Sequence, residues 1–126
     1  MKRSWIGLAL LILLLAIGLL ATWYMDRCHS RTAELLTEAK LQARQGSWEQ
    51  AVHLADQADR QWQESWHISA AFADHEPMEE IDSLFAQLKI YAEEGDRLCF
   101  SALCAQIASG LEAMADAQTL NWRNLL

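Results

Sequence analysis

The stretch "ARQGSWEQAVHLADQADRQW", Ala43 to Trp62, holds the end of one periodic segment and the beginning of another. Ahead of it, Ala33, Leu36, Ala39 and Ala43 recur every three or four residues. This spacing lines one face of a helix over Ser30 to Gln45, which stands alone or simply continues the apolar run before it. Gly46 is a natural place for that helix to stop because glycine adopts positive φ without a steric penalty. Beyond it, Ser47 is suited to cap a second helix. Trp48, Ala51, Ala55, Ala58, Trp62 and then Ser65 or Trp66 recur at the same interval up to Phe72. Nothing here alternates with the period of two that a strand would need.

Working outward toward the C-terminus, Pro77 suits the first turn of a third helix, whose face is Ile81, Leu84, Leu88 and Tyr91. Gly95 in "EEGD" ends it and Asp96 caps a fourth helix, expected to run to about Ala117 with Phe100, Leu103, Ile107, Leu111 and Met114 at a spacing near 3.5. Short connections between amphipathic helices favour antiparallel neighbours. The expected fold is all-α, a small antiparallel up-and-down helical bundle.

Toward the N-terminus the chain changes character. Trp5 to Met25 carries no charge, and at ~1.5 Å per residue this run spans about the ~30 Å hydrocarbon core of a bilayer. Trp5 at one end and Trp23 with Tyr24 at the other stand where aromatic rings prefer the headgroup level, and Lys2 with Arg3 marks the cytoplasmic side. The alternative, a cleaved signal peptide, needs small residues before a cut, and Ala16 and Gly18 fit that poorly. The domain reading is therefore a cytoplasmic N-terminus over 1–4, a transmembrane helix over 5–25 and an extracytoplasmic helical domain over 26–126.

That domain holds 17 acidic residues against 8 basic ones. Phosphate binding begins with a basic face, so a nucleic-acid partner is not expected. The cysteines, Cys28, Cys99 and Cys104, form neither a disulfide framework nor a metal-ligand set. On a helix, Cys99 and Cys104 would stand ~8 Å apart at Cα, beyond the ~7 Å bridging limit, and all three read as small buried hydrophobes.

Asp74 to Asp82, "DHEPMEEID", is the densest polar cluster. Acidic residues beside Pro77 match the positive end of a starting helix, which by itself accounts for the composition. The functional alternative places His75, Glu79 and Asp82 on one face as ligands of a divalent cation, although Pro77 is expected to push His75 out of the helix. No Gly-x-Ser-x-Gly elbow, Cys-His-Asn set or phosphate-cradling glycine loop is present. His29, His53 and His67 stand singly. The chain is read as a non-enzyme without a cofactor, and His75, Glu76, Glu79, Asp82 and Trp122 are its candidate partner or functional surface, Trp122 through the apolar ending "LNWRNLL".

The spacing Ala43, Gly46, Trp48, Ala51 resembles the inter-helix turn of a tetratricopeptide repeat, but a single turn makes no array. Taken together, the N-terminal anchor, "GSWEQA", "DHEPMEEID", "LFAQLKIY" and "LNWRNLL" resemble a family of uncharacterised membrane proteins of Gram-positive, often spore-forming bacteria, of about this length throughout. His75, Glu76 and Asp82 match that family's pattern; Pro77, Cys99 and Cys104 depart from it. The resemblance implies one transmembrane helix, a charged helical domain of unknown function and an accessory role beside an envelope or multi-pass membrane protein.

Overall fold

The computed structural model describes the backbone of residues 2–72 and 75–125 and the side chains of 2–71 and 76–116. Four helices, α1 (Lys2–Arg44), α2 (Trp48–Phe72), α3 (His75–Glu94) and α4 (Arg97–Leu125), make up the described chain, and no strand occurs among the described residues. The all-α expectation holds.

α1 changes environment along its length without a break. From Lys2 to Leu20 every residue except Gly18 is exposed, and only 6% of its most apolar window is buried. From Met25 onward the pattern becomes amphipathic: Met25, Cys28, His29, Thr32, Ala33, Leu36, Ala39 and Ala43 are buried. The segment over Ser30 to Gln45 thus continues the apolar helix rather than forming an element of its own. α1 and α4 are both long and apolar enough to cross a membrane, but the α4 window is 50% buried, as befits a core helix.

Glycine makes the turns. Gly46 has φ 89° and Gly95 φ 72°. At the first, the Ser47 amide donates to the Gln42 carbonyl at 2.9 Å and the Gly46 amide to Ala43 at 3.4 Å, the paired bonds that close a helix C-terminus. At the second, the Asp96 amide donates to Tyr91 at 3.1 Å. Asp96 Oδ1 then accepts from the Cys99 amide at 3.2 Å, which is the expected cap.

α1 packs along both α2 and α4, and α3 lies mainly on α4; α2 and α3 approach each other at few points. The core joins Leu36, Trp62, Met78, Phe100, Ile107 and Leu111, with the alanine stripe Ala51, Ala55 and Ala58 allowing α1 and α2 to close. Trp62 is fully buried, whereas Trp48 is half-buried and packs edge-on against Phe100 with ring centroids 4.9 Å apart.

Four local expectations need correction. α4 continues to Leu125 instead of stopping near Ala117, because no glycine or proline follows Gly110 to break it. His75 is the first residue of α3 rather than outside it. Pro77 is tolerated at the third position because amides of the first turn have no acceptor within the helix. On α3 the buried stripe is centred on Phe85, with Leu84 and Tyr91 only partly buried. Finally, Cys99 is exposed, since in the first turn of α4 only Phe100 turns inward, while Cys28 and Cys104 are buried.

Candidate functional site

The acidic cluster separates into an exposed part and an engaged part. Glu76, Glu79 and Glu80 are exposed on the first turns of α3. Asp82 points back at α2, where Oδ1 accepts the Trp62 indole N–H at 2.5 Å and Oδ2 accepts that of Trp66 at 3.0 Å. Trp62 and Trp66 lie four residues apart on one helical face, so a single carboxylate on the neighbouring helix meets both. Phe85 stacks on Trp62 at 6.3 Å, extending the same contact. Asp82 is thus a fastening between helices, and its carboxylate is committed to two donors. The side chains of His75 and Trp122 lie outside the described residues. Among those described, no three His, Cys, Asp or Glu side chains converge on a point.

A second cluster escaped the sequence reading. His29 is 1% exposed, neither ring nitrogen has a hydrogen-bond partner among the described residues, and its ring lies 5.7 Å from that of Trp62. Burial holds the imidazole below its ordinary value of 6.5, and the nearby Asp26 carboxylate opposes that shift only in part. On the buried faces of the same two helices, Thr32 donates to the Cys28 carbonyl at 2.8 Å and Ser65 to that of Trp62 at 3.1 Å, while Ser69 Oγ is buried with no partner among the described residues. The available signal was positional: His29 falls seven residues before Leu36 on the buried face, and only that register distinguishes it from a surface histidine. His53 and His67 are exposed; the first meets Gln57 at 3.3 Å and the second lies edge-on to Trp66. Burial raises the Cys104 thiol to about 12, which leaves it inert as a nucleophile.

The third feature is a groove of about 600 Å³ between the first half of α2 and the last half of α3. Ala55, Phe85 and Leu88 form its floor. Carboxylates of Glu49, Asp56, Asp59 and Glu93 stand along it with Lys89 as the one cationic lining residue. Asp56 also pairs with Arg60 at 2.7 Å, one turn away on the exposed side. Small side chains at Ala55 and Ala92 leave this space unfilled where α2 and α3 diverge from their fastening at Asp82.

These features define an all-helical domain continuous with a long apolar N-terminal helix, with an acidic groove between α2 and α3. The chain belongs to the family described as domain of unknown function DUF4363, which matches residues 20–125. No curated protein and no solved structure matches it.

Proposed function

We propose that this chain is a single-pass membrane protein whose segment 5–25 is the anchor, with residues 1–4 in the cytoplasm and residues 26–126 outside as an acidic up-and-down bundle. In this reading it works without chemistry of its own, as an interaction or accessory subunit for another envelope protein. The observation that carries the reading is the change on α1 at Met25: exposed apolar residues precede it and a packed core follows it on one unbroken helix. An apolar exposed run of this length is unfavourable in water and favourable in a bilayer.

Contact register supports the up-and-down order. His29 meets Trp62, Trp62 meets Asp82, Ile81 Cδ1 lies 3.0 Å from the position a Cβ on Gly110 would occupy, and Trp48 meets Phe100. Each of the first three pairs joins consecutive helices at similar distances along the two helices from their connection. The competing cation-binding reading loses Asp82 to the indoles. Crosslinking in intact membranes, followed by identification of the adduct, tests the proposal. An adduct with a specific envelope protein is expected, and its absence from efficiently crosslinked, correctly inserted protein would remove the interaction role.

A further inference from the structure

We propose that the groove between α2 and α3 docks a basic amphipathic helix contributed by another protein. This rests on the interaction reading and specifies its partner. The floor of Ala55, Phe85 and Leu88 offers a narrow apolar strip, and carboxylates stand on both walls, Glu49, Asp56 and Asp59 from α2 and Glu93 from α3. A helix laid there would place an apolar stripe on the floor and Lys or Arg toward the walls, the helix-in-groove mode of recognition. The α2 wall from Glu49 to Asp59 rises about 15 Å, so it accommodates roughly three helical turns.

Charge selects among occupants. Asp56 is shared with Arg60, which leaves Glu49, Asp59 and Glu93 against Lys89, and this net negative lining repels nucleic acid, anionic lipid and acidic protein alike. A second copy of the domain is disfavoured for the same reason, since residues 26–126 carry 17 acidic against 8 basic side chains. The groove opens near the turn ends at Arg44 and Trp48, and α1 rises about 28 Å from Met25 to Arg44. In the proposed topology it therefore presents to another protein's extracytoplasmic segment, well beyond the headgroups.

The test uses the full chain in zwitterionic nanodiscs and a fluorescein-labelled synthetic Lys/Leu amphipathic helix of about four turns, with a Glu/Leu helix of the same pattern as control and anisotropy as the readout. Salt-sensitive binding of the Lys/Leu helix alone is expected. The double variant Asp59→Asn, Glu93→Gln weakens it about tenfold, whereas Glu34→Gln, Glu38→Gln on the exposed side of α1 changes it less than about twofold. Because lost binding could reflect lost folding, Lys89→Gln supplies the opposite sign: removing the groove's one lysine tightens binding. Equal losses in both acidic variants, no binding, or weaker binding by Lys89→Gln would overturn the proposal. A native adduct that survives Asp59→Asn, Glu93→Gln would remove the groove and leave the interaction role intact; failure of that role shows instead as no native adduct at all.

Discussion

His29 sits in an environment that its chemistry in water would not favour. Buried beside Trp62 with no hydrogen-bond partner among the described residues, it folds neutral, and burial lowers its proton affinity. Unfolding exposes it and restores the ordinary value of 6.5. Its contribution to stability is therefore complete above that value and declines as pH falls below it, until the folded form also takes a proton. Thermal melts from about pH 7 to about pH 5 should show a loss that His29→Phe reduces; equal slopes would mean that His29 is solvated. Asp82 calls for a different substitution. Alanine there leaves two indole N–H groups without their acceptor at a cost of about 2 to 4 kcal/mol, while asparagine keeps one acceptor and should cost less, as urea melts would report. Trp62→Ala should cost about 3 to 5 kcal/mol and the half-buried Trp48→Ala less. Periodicity put Trp48 and Trp62 on the core stripe, yet the indole N–H groups of Trp62 and Trp66 could not be assigned in advance because their acceptor, Asp82, lies twenty and sixteen residues away on another helix.

At the scale of elements, the turns were legible because glycine has a specific stereochemical use. Gly46 and Gly95 both take positive φ, and a Cβ at either would meet nothing within 4 Å, so the penalty for replacing them is conformational rather than steric. Gly46→Ala and Gly95→Ala should each destabilise by about 1 to 2 kcal/mol, with asparagine costing less, in the same urea melts; a neutral alanine would mean that the turn rearranges easily. Gly110 obeys another rule. It sits within α4, where alanine improves helix propensity, but its Cβ would press on Ile81 Cδ1 at 3.0 Å. Helix ends without such markers were not legible: α4 passes Ala117 because the end of its amphipathic pattern does not break a helix. The groove was hidden for a related reason. Each wall alone reads as an ordinary solvated acidic face, and only the divergence of α2 from α3 above Asp82 brings the two together.

At the scale of the whole molecule, the orientation of the proposed anchor depends on Lys2 and Arg3, and the exposed Cys99 offers a way to test it. Cys28 lies nearer the proposed outer interface, but its burial makes it a poor reporter. Cys99 stands at the start of α4, beside the fully accessible Leu98 and next to Asp96. Its thiol is shifted upward, first by the hydrogen bond to Asp96 and then by slight desolvation and the negative charges of Asp96 and Glu94, so less thiolate is present at neutral pH than for an ordinary cysteine. A membrane-impermeant maleimide added to intact cells should therefore label the chain slowly at neutral pH and faster as pH rises. Cys99→Ser should abolish the signal, and Cys28→Ser should leave it almost unchanged. Labelling only after lysis would place the bundle in the cytoplasm, reversing the proposed topology and restricting any basic helix that fills the groove to a cytoplasmic partner.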